Sequence, residues 1–193
     1  MKLARVYPIV DSAAWLRRLL PLGVKLVQLR IKERPVEEVR AEIKAAKALC
    51  SRVGAQLVVN DHWELALAAG CEWVHLGQGD LDTADLPALR RAGIRIGIST
   101  HDPAELERAL AQSPAYVALG PIYPTQLKVM PWAPQGLARI GEWKRRVAPL
   151  PLVAIGGLTA ERLPGVLGAG AGSAALGPQT GRPARPQSSQ PAR

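Results

Sequence analysis

Short apolar runs alternate with amphipathic stretches along nearly the whole chain. Residues 4–10 read as a buried strand, and Asp11 and Ser12 after it suit a helix cap. Ala13, Leu16 and Leu20 have helical spacing before Pro21, and 24–30 reads as a second strand. Val36–Val53 is the longest predicted helix, with Val36, Val39, Ile43, Ala46, Ala48 and Leu49 largely on one side and Gly54 at its end. Gln56–Asn60 and Trp73–Leu76 read as the third and fourth strands, with a helix near 63–69 between them. Asp82 or Thr83 is expected to open a helix running to about Ala92. The fifth strand is 95–99, followed by a helix over Pro103–Ala111 with Pro103 in its first turn. A strand at 116–120, a helix at 135–147, a strand at Leu152–Ile155, a short helix at 159–167 and a strand at Ser173–Leu176 complete the pattern.

The order is β then α, about eight times over. Strands that are short, continuous and apolar are buried on both faces, which argues for a parallel sheet with helical crossovers. Eight units favour a closed (β/α)8 TIM barrel of the α/β class over an open sheet, and no dinucleotide-type glycine fingerprint follows the first strand. One catalytic domain is expected over 1–176. The segment 177–193, rich in Pro, Arg and Gln, has too little apolar surface to bury and is expected to be disordered.

Composition narrows the function. The net charge is +9, and three of those charges lie in 177–193, leaving +6 on the folded part. That balance suits acidic partners. With five Trp, three Tyr, no Phe and no nucleic-acid motif, nucleic acid is not an expected partner. No run of about 18 apolar residues and no leader-like N-terminus appears, so a cytoplasmic protein without a membrane partner is expected, as a monomer or homodimer. Cys50 and Cys71 have no metal or redox spacing and are expected to be reduced, buried and inert.

In a barrel of this kind the chemistry sits at the carboxyl ends of the strands. Those ends offer Gln28, Arg30 and Lys32, then Asn60 and Asp61, then Gln78 and Asp80, then Ser99 and His101. The sixth strand runs into Gly120-Pro-Ile-Tyr-Pro-Thr-Gln-Leu-Lys128, a loop stiffened by prolines and carrying a hydroxyl, an amide and a cation. The seventh ends in Gly156-Gly157, where backbone N–H groups suit a phosphate. Two carboxylates without clustered His or Cys suit a hard ion such as Mg²⁺. Arg and Lys beside them suit a diphosphate, and Thr125 with the glycine pair suits a second, single phosphate. The expected chemistry is loss of pyrophosphate and capture of the carbon electrophile by the other substrate. No His/carboxylate dyad stands out, and no general base is needed.

These residues resemble the thiamine-phosphate synthase family. The matching pieces are Gln28-Leu-Arg-Ile-Lys32, Asn60-Asp61, His75-Leu-Gly-Gln-Gly-Asp80, Gly97-Ile-Ser-Thr-His101, Gly120-Pro-Ile-Tyr-Pro-Thr125 with Lys128, Ala133-Pro-Gln-Gly136 and Ala154-Ile-Gly-Gly157. They run in the family's order and spacing from about Tyr7 to Gly172. The resemblance implies joining of an aminopyrimidine methyl diphosphate to a thiazole ethyl phosphate through a pyrimidine carbocation. It implies that Gln28, Arg30, Lys32, Asn60, Ser99 and Lys128, with Leu29 and Ile31 of the same stretch, hold the pyrimidine diphosphate. Arg30, Lys32, Ser99 and Lys128 are then the catalytic set, and Asp61 and Asp80 the Mg²⁺ ligands. Thr125, Gln126, Leu127, Gly156 and Gly157 are implied to hold the thiazole phosphate. Leu127 stands where the family usually has a hydroxyl residue, and the tail after Leu176 stands where it has a final helix, implying lower stability and weaker thiazole-phosphate binding. Two rivals are a phosphate-binding relic and a thiazole tautomerase using His101.

Overall fold

Every predicted apolar run becomes a strand. The computed structural model describes residues 3–125 and 132–177. Its strands are β1 (Val6–Val10), β2 (Leu26–Leu29), β3 (Gln56–Asn60), β4 (Trp73–Leu76), β5 (Arg95–Thr100), β6 (Tyr116–Leu119), β7 (Leu152–Ile155) and β8 (Ser173–Leu176). All neighbours are parallel, and β1 pairs with β8, closing a barrel in simple chain order. The helices among the described residues are α1 (Ala13–Leu19), α2 (Val36–Val53), α3 (Trp63–Ala68), α4 (Leu86–Arg91), α5 (Pro103–Ala111), α6 (Gly136–Val147) and α7 (Leu163–Gly168). The (β/α)8 expectation therefore holds in its strands. The segment expected to be disordered lies, from residue 178 on, outside the described residues.

Two-residue periodicity sorts the side chains. Tyr7, Val58, Trp73, Tyr116, Val153 and Ala175 fill the barrel interior as one buried cluster. The alternate residues Val27, Leu29, Val59, Val74 and Ile98 turn outward onto α1 to α5. Val117, Leu119, Leu152 and Ala174 do the same beneath α6 and α7. Each fully buried Leu, Ile or Val contributes roughly 1.5–3 kcal/mol by removing apolar surface from water.

Three element starts differ from expectation. Ser12 sits at the cap position of α1 but its hydroxyl goes to Asp11, 3.1 Å away. The first N–H of the helix, that of Ala13, donates instead to Glu42 Oε2 of α2 at 2.6 Å. Helix α4 starts at Leu86, because Asp85 accepts from the Ala88 N–H at 2.8 Å, whereas Asp82 is taken by Arg108 at 2.5 Å. Residues 159–167 split into a 3₁₀ turn, Ala160–Arg162, and α7, since Pro164 has no N–H to carry one continuous helical ladder across that point. Cys50 and Cys71 are free and buried, and burial pushes the Cys50 thiol up to about 11. No helix among the described residues is long and apolar enough to cross a membrane.

Candidate active site

The carboxyl ends of the strands surround a cavity of about 770 Å³, within the range that holds small-molecule ligands. The period that fills the barrel also aims its polar residues: Gln28 and Arg30 follow Leu26 inward, Asn60 follows Val58, His75 follows Trp73, and Ser99 follows Gly97. Lys32 continues the same alternation beyond β2. Leu29 and Ile31, implied to bind the pyrimidine diphosphate, do not join them. Their side chains are 1% exposed and pack outward against the helices, because an odd step along the strand changes face.

The loop after β6 is laced to the end of β7. Ile122 N–H donates to Ile155 O at 2.9 Å and Tyr123 N–H to Gly156 O at 3.0 Å. Gly156 and Gly157 allow this approach. A Cβ on Gly156 would lie 2.6 Å from Pro121 Cα, and one on Gly157 would lie 2.5 Å from Pro124 O, with φ at +64° besides. Thr125 and both glycines line the cavity. Gln126, Leu127 and Lys128 lie outside the described residues.

Asp61 and Asp80 meet at the ends of β3 and β4. Asp61 has a left-handed backbone, φ +61°, uncommon for a residue with a side chain and often found at functional sites. Lys32 is hydrogen-bonded to its carboxylate. Burial pushes the Asp61 carboxyl up, but the Lys32 ammonium and a hydrogen bond with Asp80 outweigh this and hold it below the usual range. Burial raises Asp80, and the adjacent Asp61 charge raises it further, against the Gly77 N–H that donates to it at 2.7 Å. Two carboxylates driven apart in this way form a site that a divalent cation would relieve. Arg30 lines the cavity and makes no ion pair among the described residues.

Beneath this rim lies a buried imidazole. His75 Nδ1 is 2.8 Å from the Tyr116 hydroxyl and Nε2 is 2.8 Å from Ser99 Oγ. Burial, together with the nearby Arg30 charge, holds its pKa at about 4 against an ordinary 6.5, although Asp61 pulls the other way. Between those two values the unfolded chain binds a proton that the folded protein does not, so stability falls as pH drops from about 6.5 to about 4. The loss should reach about 3 kcal/mol at the acid end. Urea unfolding at several pH values should show it, and His75→Gln should flatten the slope across that window.

Four cavity features were not foreseen. His101 does have a carboxylate partner: Glu105 Oε2 lies 2.7 Å from its Nδ1 and also accepts its backbone N–H at 2.8 Å. The expectation of no such dyad is corrected here; the pair straddles the β5–α5 junction, one helical turn apart. Trp132 stacks on the His101 ring, with centroids 3.9 Å apart. Arg162 lies over the Tyr123 ring at 4.2 Å and donates to Gly157 O, which brings a cation to the glycine pair. Gln78 donates to Ser99 O at 2.7 Å, and its Oε1 is buried without a partner among the described residues. The clue to Arg162 was its place one turn after Gly156-Gly157.

The chain is 62% identical over 176 residues to a thiamine-phosphate synthase of Rhizobium etli, covering 91% of this chain and 86% of that one. It is 52% identical over 171 residues to a thiamine-phosphate synthase of Salmonella typhimurium, covering 89% and 81%. A solved thiamine phosphate pyrophosphorylase from Pyrococcus furiosus superposes with a TM-score of 0.77 at 27% identity, over 90% of this chain and 85% of that one. The family model described as thiamine monophosphate synthase matches residues 6–178, and by that match and these identities the chain belongs to the thiamine monophosphate synthase family.

Proposed function

We propose that this enzyme joins an aminopyrimidine methyl diphosphate to a thiazole ethyl phosphate, giving thiamine phosphate and pyrophosphate. The observation that carries the reading is the meeting, in one cavity, of Arg30, Lys32, Asp61 and Asp80 with a separate phosphate cradle at Thr125 and Gly156-Gly157. Arg30 and Lys32 bind the diphosphate, Arg30 as a fork and Lys32 as a point charge. Asp61 and Asp80 are oxygen donors suited to Mg²⁺, which when bound would neutralise charge on the departing diphosphate. The C–O bond between the pyrimidine methylene and the diphosphate breaks, its electron pair leaving with pyrophosphate. The thiazole nitrogen then gives its lone pair to the electron-poor methylene. No proton need move in either step, so positioning and electrostatic stabilisation carry the catalysis.

Both substrates, mixed with the protein and Mg²⁺, should release pyrophosphate and form thiamine phosphate, and should not do so once the metal is chelated. The His101–Glu105 pair supports the rival tautomerase reading, since it supplies an acid/base group. Interconversion of thiazole carboxylate isomers without metal, and no pyrophosphate, would establish that rival. Retention of Arg30, Lys32, Asp61 and Asp80 favours the synthase. Binding of both substrates without turnover would leave only a relic.

Arg162 offers a test of the second phosphate. Its guanidinium is held by Tyr123 beside Gly157. A hydrogen bond from a charged donor contributes about 1.5–3 kcal/mol, so Arg162→Ala should raise the KM for the thiazole phosphate about tenfold or more. With the dephosphorylated thiazole alcohol as acceptor, the variant and the parent should have the same KM.

A further inference from the structure

A line of hydrogen bonds crosses the barrel interior beneath the cavity. Gln28 Nε2 donates to the Tyr7 hydroxyl at 3.2 Å. The Tyr7 hydroxyl is 3.0 Å from that of Tyr116, which is 2.8 Å from His75 Nδ1. His75 Nε2 is 2.8 Å from Ser99 Oγ, and both ends of the line, Gln28 and Ser99, face the cavity. Tyr7, Tyr116 and His75 are all nearly inaccessible to solvent.

Each hydroxyl has one proton and the neutral imidazole one N–H, so the line can run in only one direction at a time. Gln28 sets it. An amide NH₂ cannot accept, so the Tyr7 proton must point to Tyr116, the Tyr116 proton to His75 Nδ1, and the His75 proton sits on Nε2 and is donated to Ser99. The opposite order would leave the Tyr7 O–H aimed at a donor inside the barrel, at a cost of about 1–3 kcal/mol. Burial raises the pKa of both phenols and lowers that of His75, so all three groups are neutral. The backbone makes room for the line: Gly97, in register with both His75 and Tyr116, has no Cβ to collide with the Tyr116 ring.

We propose that this line makes Ser99 a one-way hydrogen-bond donor: its oxygen is occupied by His75 Nε2–H, so its own proton is presented to an acceptor atom of the bound substrate. Tyr116 and His75 are then positioning residues, acting through Ser99. Tyr7 passes the direction set by Gln28 on to Tyr116; without it the Tyr116 hydroxyl could either donate to His75 Nδ1 or accept from it.

Nitrogen-15 NMR of the full chain, labelled at histidine, tests the direction. The protein has three histidines, so His75 is assigned by elimination with His62→Asn and His101→Asn. The expected tautomer is protonated at Nε2. Tyr116→Phe removes the donor to Nδ1 and should leave both tautomers populated, and Tyr7→Phe, which cuts Gln28 off from Tyr116, should weaken the preference for the Nε2–H form. Protonation at Nδ1 in the parent, or an unchanged tautomer in Tyr116→Phe, overturns the proposal. The kinetic arm rests on the synthase reading: Tyr116→Phe should lower kcat about tenfold, with the KM for the thiazole phosphate changed less than twofold. A purely structural role would lower the melting temperature and leave both the tautomer and kcat in place. The NMR arm needs no activity, so the expected tautomer in a protein that releases no pyrophosphate would sink the synthase reading and leave the direction of the line standing.

Discussion

Gly97→Ala should destabilise the protein by about 2–6 kcal/mol and abolish most of its activity. The added Cβ would lie 2.0 Å from Tyr116 Cζ and 2.5 Å from its hydroxyl oxygen. The ring has no free direction in which to retreat. It stacks on His75 with centroids 5.6 Å apart and meets Tyr7 and Trp73 at 6.3 Å each. Overpacking a filled core costs about 1–3 kcal/mol. Displacing the ring also strands buried polar groups of Tyr7 and His75, which adds about 1–3 kcal/mol. In a domain of this size that lowers the melting temperature by roughly 10 °C. Calorimetry and urea titration would show the loss. Tyr116→Ala in the Gly97→Ala background should recover part of it, since removing the ring removes the collision. A melting temperature unchanged by Gly97→Ala would mean that the ring does not lie over residue 97.

Asp80→Asn should lower turnover about a hundredfold or more while changing stability by less than about 1 kcal/mol. The amide keeps the shape of the carboxylate and an oxygen for the Gly77 N–H. What it removes is a negative charge already disfavoured by burial and by Asp61, so folding loses little. Removing one group that stabilises developing charge typically costs a factor of 10²–10³ in rate. Pyrophosphate release measured over a range of Mg²⁺ concentrations, beside urea unfolding, separates the two effects. The metal dependence should shift to higher concentration. An unchanged rate would overturn the proposal that Asp80 holds a metal ion.

Local chemistry explains what the sequence alone could reveal. Helix α2, with its one-sided apolar face and Gly54, was visible from 18 residues of pattern, and Gly54 does take the left-handed turn, φ +63°. Strands β4, β7 and β8 were equally clear, since each is a short apolar run between glycines or polar turns. The start of α4 was not, because Asp82 and Asp85 are equally good caps on paper and only Arg108, distant in sequence, decides between them. Arg30, Lys32, Asn60, Asp61, Asp80 and Ser99 reach one cavity because the strand period and the barrel's polarity are local rules repeated at each unit. The same period, applied strictly, excludes Leu29 and Ile31. The line from Gln28 through Tyr7, Tyr116 and His75 to Ser99 was hidden for the opposite reason: it joins residues up to 109 positions apart on five strands.

The pairing of β1 with β8 has a bearing on how this protein is made. Val6 aligns with Ala174, and the Ala174 N–H donates to Arg5 O at 2.9 Å. β1 must therefore wait, with one edge unpaired, while β2 to β7 are made and until β8 follows them. An exposed edge held open that long is an invitation to pair wrongly with another nascent chain. Ring closure across such a sequence distance is also slow, so chaperone demand should peak just before residues 173–176 emerge.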